Sequence, residues 1–282
     1  MDIKYKEIPK SNGTYRVVAV PGPAMKRKLQ ELVPHVTAIA MMADKKNVMH
    51  GFVPGRSPIT NARQHVGFKY TLSMDLEDFF LHCGASLCHG RLSRMIPREC
   101  LITHKDKRFR VEHHPCVQGL PTSPAVANLL FSVIDRKIRD YISQSCEYTR
   151  YADDMTFSAD DLSILKETRN IVNETCYVAG MPVAHKKTRF QSAAYGHRII
   201  TGCAVTETDV RPTRKTKRKL RAARHQGNGP HAAGLEEWCR MKEPDIKKYV
   251  RSKLEMVRRR FGTMTDVDIS RLQASLAVIE IR

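Results

Sequence analysis

Apolar and polar residues alternate through Phe68, Tyr70, Leu72 and Met74, the period of a half-buried strand, and the run ends on Asp75. Two further runs with strand propensity, Tyr148-Thr149-Arg150 and Met155-Thr156-Phe157-Ser158, flank Tyr151-Ala152-Asp153-Asp154 and predict a hairpin with two acids at its tip. Helical spacing takes over at Val126, Leu129, Leu130, Val133, Ile134, Ile138 and Ile142. Ser123 is placed to cap that helix, and Pro124 falls in a first turn that needs no N–H. Around these lie a hairpin over 6–20 turning at Asn12-Gly13, a helix over 24–32, and a short helix capped by Thr60 that carries Asn61 and His65 on one face. A helix over 86–96 is followed by strand runs at 101–103 and 108–111. Another helix starts at Asp160 or Asp161 and ends at Gly180, and a strand covers 198–205. Strands and helices are interleaved along the chain.

Composition narrows the partners. The chain has 282 residues and a formal net charge of +19, which calls for a polyanion. No apolar run approaches the roughly 18 residues of a membrane span, and no charged-then-apolar leader opens the chain, so nucleic acid is favoured over a membrane and the expected location is cytoplasmic. The eight cysteines include no C-x-x-C pair. His113, His114 and Cys116 lack a fourth ligand for zinc, and reduced, buried thiols are expected. From 211 to 224, eight of fourteen residues are Lys or Arg and none is acidic. Leu220, Ala222 and Ala223 favour helix there, and amphipathic stretches follow at 246–261 and 267–281, after a break at Gly227, Gly229 and Pro230. This predicts a division into residues 1–206 and a small basic helical domain, 207–282.

An isolated Asp-Asp is well explained by a solvated turn. Adjacent carboxylates repel, however, and a strand-terminal Asp75 facing Asp153 and Asp154 makes an oxygen-ligand set suited to Mg²⁺ or Mn²⁺ and to two-metal phosphoryl transfer. The order Asp75-Leu76-Glu77-Asp78-Phe79-Phe80, then Gln118-Gly119-Leu120-Pro121-Thr122-Ser123-Pro124, then Tyr151-Ala152-Asp153-Asp154 resembles motifs A, B and C of reverse transcriptases. Asn61-Ala62-Arg63-Gln64-His65 and Thr201-Gly202 resemble elements of the retron type in particular. Neither G-x-x-x-x-G-K-[ST] nor G-x-G-x-x-G occurs, which disfavours a P-loop or dinucleotide-binding enzyme.

The resemblance implies an α+β fold, that of a right-hand polymerase: fingers and palm interleaved over 1–206, the palm a small antiparallel sheet backed by helices, and a helical thumb over 207–282. It implies RNA-directed DNA synthesis with dNTPs on two Mg²⁺ ions. Asp75, Asp153, Asp154 and the main-chain oxygen of Leu76 would be the ligands. Lys10, Arg16, Gln118, Lys186 and Lys187 would attend the nucleotide, and Phe80, five residues after Asp75, its sugar. On sequence alone Lys10 and Arg16 also read as solvated charges on an exposed ribbon, a reading nearly as good for Lys10 as the triphosphate contact. The family commonly has Asn before the two lysines, where this chain has Val183-Ala184-His185. Asn61, His65, Thr201, Gly202, Arg214, Lys215, Arg218 and Lys219 are the expected RNA contacts. A retron enzyme copies part of its own structured non-coding RNA into a branched RNA–DNA product, commonly in anti-phage defence beside a separate effector protein. The alternatives are a diversity-generating or other defence-associated bacterial reverse transcriptase, and a catalytically idle RNA-binding scaffold.

Overall fold

Ile3–Pro9 (β1) and Tyr15–Pro21 (β2) pair antiparallel from Ile3↔Pro21 to Pro9↔Tyr15, the hairpin expected from the sequence. They belong to a computed structural model that describes residues 3–244 except 10–12, 14, 45, 88–93, 95, 101–103, 106–111 and 114–115. The expected helices at 246–261 and 267–281 and the strand runs at 101–103 and 108–111 lie outside the described residues.

The first helix, Pro23–Ala43 (α1), is longer than the predicted 24–32 and runs through Pro34. Proline removes one backbone donor, but Leu29, Val36, Thr37 and Ala40 continue the buried stripe past it, and the helix packs on a later one. Pro58–Arg63 (α2) is capped by Ser57, not by Thr60: Ser57 accepts from the N–H of Thr60, and Thr60 accepts from the N–H of Ser57. Tyr70–Asp75 (β3) leads into a short helix, Phe79–His82 (α3), followed by a π-helical turn over Cys83–Leu87. Of the helix expected over 86–96, Ser86 and Leu87 belong to this π-helical turn, and residues 88–93 and 95 lie outside the described residues. His104–Lys105 (β4) pairs with Glu112–His113 (β5).

Ser123–Tyr141 (α4) is nearly encased, with Val126, Leu129, Leu130, Phe131, Ile134 and Ile138 all buried. Ser123 does not cap it, because its hydroxyl donates to Val117 O at 2.6 Å. Glu147–Tyr151 (β6) and Asp154–Ala159 (β7) form the predicted hairpin, and Leu162–Val178 (α5) is capped by Asp161, which accepts from Ser163 N at 2.7 Å. Arg189–Ser192 (β8) completes the sheet, a strand the sequence pattern did not predict. The strand expected over 198–205 is two strands, Arg198–Ile200 (β9) and Cys203–Val205 (β10), because Thr201 and Gly202 take φ of 45° and 80° and make a two-residue hairpin turn. Val210–Pro212 (β11) adds to β10. The basic run is the helix Arg214–His225 (α6), which packs on Gly229–Cys239 (α7), also not predicted.

The organising sheet has the order β6-β7-β3-β8, antiparallel throughout. Because β3 is central, Thr71 to Met74 are all buried, which corrects the half-buried expectation. Side chains alternate across such a sheet. Leu72, Met74, Tyr148, Met155 and Phe157 lie on the apolar face and join the core with α4 and α5. Tyr148 stacks on Phe157 at 4.5 Å and 7°. Thr71, Ser73, Thr149, Thr156 and Ser158 line the other face and are buried too, beneath α2 and the β9–β11 sheet. Asp75 and Asp154 end the rows on this hydroxyl face.

Candidate active site

The register that pairs β3 with β7 ends on Asp75↔Asp154, so two carboxylates leave adjacent strands side by side. Tyr151 pairs with Asp154, leaving Ala152 and Asp153 as a two-residue loop in which Ala152 takes φ +60°. Asp153 is tied to the β3 end by its own carbonyl, which accepts from Leu76 N at 3.1 Å. Asp75 O in turn accepts from Ala184 N at 2.7 Å, and Lys187 Nζ donates to Asp75 Oδ2. Burial, and next the negative charge of Asp75, push the Asp153 carboxyl up. The Asp154 carboxyl is pushed up to about 7 by burial, then by Asp75 and Asp153. The Lys187 ammonium is raised, first by its hydrogen bond to Asp75.

The three carboxyls of this site outnumber the Lys187 ammonium and the Arg189 guanidinium that act on Asp154, and its donors are hard oxygens. That chemistry fits Mg²⁺ or Mn²⁺. Among the described residues no group of three or more His, Cys, Asp or Glu side chains is gathered as a ready metal cluster, and Asp75 is paired with Lys187.

The hairpin tip rests on a buried network that sequence reasoning missed. Arg150, fully buried, pairs with Asp135 of α4 at 2.7 Å and donates to Ala152 O at 2.8 Å and to Asn128 Oδ1 at 3.1 Å. Burial alone would lower its pKa, but Asp135 more than offsets this and keeps the guanidinium charged. Its Cζ lies over the Phe131 ring, 4.7 Å from the centroid. Asn128 Nδ2 then donates to Gly51 O at 2.8 Å, and a Cβ on Gly51 would sit 2.3 Å from Ala152 N, so only glycine lets this loop seat against the tip. The available signal was parity: Arg150 occupies an apolar-face position of β6, where a charge requires a buried partner.

The other expected residues are distributed as follows. Phe79 is buried and Phe80 half-buried, but on α3 and not on a strand, with rings 5.5 Å apart. Arg16 is exposed on β2 opposite Ile8, while Lys10 lies outside the described residues. Gln118 is half-buried, and its carbonyl accepts from Ala19 N at 2.7 Å, which docks this loop on the first hairpin. Lys186 and Lys187 are exposed on a 3₁₀ turn, and of the two it is Lys187 that reaches Asp75. Arg214, Lys215, Arg218 and Lys219 are all exposed on α6.

Asn61 and His65 do not reach the surface. Both are 0% exposed, and His65, just past α2, bridges Thr149 Oγ1 at 2.7 Å and Ser158 Oγ at 2.9 Å. The expected RNA contact by this pair is therefore corrected to an internal role. Thr201 Oγ1 is also turned inward, donating to Pro58 O at 2.9 Å, and Gly202 lies near Trp238 of α7.

The family model described as reverse transcriptase (RNA-dependent DNA polymerase) matches residues 8–222. The chain is 32% identical over 267 residues to the retron Mx65 reverse transcriptase of Myxococcus xanthus, covering 84% of this chain and 61% of that one. It is 31% identical over 176 residues to the retron Ec86 reverse transcriptase of Escherichia coli, covering 62% and 54%. The chain thus spans somewhat over half the length of these relatives. In structure it is similar to telomerase from Candida albicans, with TM-score 0.57, 13% identity and coverage of 75% and 46%. It is also similar to a foamy viral protease-reverse transcriptase, with TM-score 0.52, 18% identity and coverage of 98% and 43%. These likenesses establish the right-hand polymerase fold, with the β6-β7-β3-β8 sheet as its palm. Spanned by the family model from the first hairpin into the basic helix, and carrying its acids on adjoining palm strands, the chain belongs to the reverse transcriptase family.

Proposed function

We propose that this protein is an RNA-directed DNA polymerase of retron type. It copies part of a structured non-coding RNA into DNA, leaves a branched RNA–DNA product, and acts in the cytoplasm in anti-phage defence beside a separate effector protein. The observation that carries the polymerase reading is the Asp75↔Asp154 register with Asp153 at the adjoining tip. The retron-specific parts rest on identities of 32% and 31% to two retron enzymes. Fingers and palm occupy residues 1–206, and the thumb 207–282 begins with the strand β11 and the basic helix α6.

Asp75 and Asp153 would hold two Mg²⁺ ions, with Mn²⁺ as a substitute and Asp154 and Leu76 O as further ligands. When bound, the ions neutralise the primer hydroxyl as it loses its proton and the pyrophosphate as it leaves. The chain's own groups do the remaining work. Lys10 and Arg16 share the triphosphate charge, and the half-buried Phe80 packs against the sugar. Lys187, kept protonated by its hydrogen bond to Asp75, donates from Nζ to the departing pyrophosphate.

Primer extension on an RNA template by Asp153→Asn tests this reading. The amide is isosteric and removes one of three crowded charges, so thermal stability in metal-free buffer should hold or rise. DNA synthesis should fall at least about a thousandfold while RNA binding is kept. Near-parental synthesis by this variant would remove the acids from the active site.

A further inference from the structure

We infer that Gly119 is a positioning residue for the β1–β2 ribbon: it seats the ribbon on the loop before α4 and so sets where Arg16 stands relative to the palm acids, an inference that rests on the polymerase reading above. Of the seven residues in each ribbon strand only Ala19 is buried, and none joins the main core. Among the described residues, the ribbon's only backbone bond to another part of the chain runs from Ala19 N to Gln118 O, at 2.7 Å. A small apolar cluster closes around that bond. Ala19, Leu29 of α1 and Leu120 are buried together, with Ile3, Met25 and Val117 packed against them.

At Gly119 the two backbones meet. A Cβ there would overlap Ala19 O and lie 2.6 Å from Val18 Cγ1 and 3.1 Å from Ala19 N, and φ is +99°, a value that glycine adopts freely. Two of the three obstructing atoms are backbone and cannot turn aside, so any side chain at 119 lifts the ribbon off the loop. The loop is not free to yield either. Ser123 Oγ donates to Val117 O at 2.6 Å, Ser123 N donates to Leu120 O at 3.3 Å, and Thr122 and Ser123 are fully buried at the start of α4.

The same helix fixes the acids. Asn128 and Asp135, farther along α4, hold Arg150 and through it Ala152, at the tip that carries Asp153. α4 is thus a common base: its body seats the acid-bearing hairpin, and the loop at its N-terminus seats the ribbon. Arg16 lies three residues before Ala19 on β2, about 10 Å along the strand. Opening the seam therefore shifts Arg16 from the triphosphate and leaves the carboxylates where they are.

The test is a double-mutant cycle in primer extension, read as kcat/KM for dNTP, together with hydrogen–deuterium exchange over residues 15–21. Arg16→Gln removes a charge-assisted contact and should lower kcat/KM about tenfold to a hundredfold. Gly119→Ala should lower it to a similar extent and speed exchange over 15–21, with exchange in β3, β6 and β7 unchanged. Adding Gly119→Ala to Arg16→Gln should cost less than about threefold more, because the contact it misplaces is already gone. Ala19→Pro reaches the seam from the ribbon side. It deletes the N–H that crosses to the loop, on a strand edge where proline is tolerated, and should be non-additive with Arg16→Gln in the same way. If the losses multiply in both cycles, or residues 15–21 of Gly119→Ala exchange at the parental rate, Gly119 does not position the ribbon and the inference is overturned while the polymerase reading stands. Parental kcat/KM in Arg16→Gln overturns the inference as well, since there is then no contact to position. A parent that extends no primer overturns the polymerase reading and this inference with it.

Discussion

A neutral imidazole completes the row of buried hydroxyls beneath the palm sheet. His65 links Thr149 to Ser158, Ser158 lies 2.9 Å from Thr71, and Arg198 donates to Thr71 at 3.1 Å. Hydroxyls buried without partners would each cost about 1–3 kcal/mol, and the chain of bonds avoids that for Thr71, Thr149 and Ser158. Burial, and secondarily the Arg198 charge, lower the His65 pKa to about 3. The unfolded chain therefore binds a proton on this residue below about pH 6.5 that the folded chain refuses, so stability is full above that pH and falls on acidification. The slope attributable to His65 is up to about 1.4 kcal/mol per pH unit between roughly pH 6.5 and 3. Urea titrations from pH 7.5 downward should show His65→Gln less stable at neutral pH by about 1–3 kcal/mol, with a shallower slope. Some slope remains because burial also lowers His50. The folded variant should bind RNA as the parent does; a specific loss of RNA affinity would restore the surface role expected from sequence.

At the level of elements, much of the site was legible because β3 and the β6–β7 hairpin carry their acids in the same alternation that forms the strands. Thr71, Ser73 and Asp75 share a parity, as do Asp154, Thr156 and Ser158, and cross-strand pairing then sets Asp75 beside Asp154 without any further device. Periodicity did not disclose what covers the hydroxyl face, since a buried Thr and a solvated Thr look alike in sequence; that is why Asn61 and His65 were read as surface residues. β8 and α7 were missed for want of a repeat long enough to register, and α1 runs on past 32 through Pro34, a residue that normally ends a helix. The partner of Arg150 was invisible because Asp135 sits 15 residues away on another element. That pair yields a prediction about the hairpin as a unit. Asp135→Ala leaves a guanidinium buried without its counter-charge, at a cost of about 3–5 kcal/mol. Adding Arg150→Met to Asp135→Leu replaces the pair by apolar groups and should recover most of that stability. Tyr148 OH, which donates to Asp135 at 2.7 Å, would lose its acceptor, and Ala152 O and Asn128 would still lack their donor, so DNA synthesis measured well below the unfolding temperature should stay depressed in the double variant. Equal recovery of stability and synthesis would mean that the network only holds the fold together.

Across the whole molecule the dominant fact is charge, +19 over 282 residues, and α6 gathers it on a fixed support. Thr213 caps the helix by accepting from Thr216 N at 3.1 Å, Ala223 is buried, and Arg224 pairs with Glu236 of α7 at 2.8 Å. Lys215, Arg218 and Lys219, spaced three and four apart, therefore share one exposed face of an anchored helix. If that face tracks the phosphates of an RNA or hybrid duplex, each neutralised contact releases counterions and steepens the salt dependence of binding. Replacing the three by Gln keeps helix propensity and changes little besides charge. The slope of log affinity against log salt should then fall by up to about 2–3 units, at roughly 0.7–0.9 per contact. Synthesis on a saturating primer-template should survive, because none of the three touches the palm acids. Filter binding across a salt series, with the RNA that copurifies with the protein and with an unrelated duplex, measures the effect. A shallower slope for both ligands identifies α6 as a generic phosphate rail, and a loss confined to the copurifying RNA makes the thumb a selector of its partner. An unchanged slope for both reduces the basic run to a solvated face.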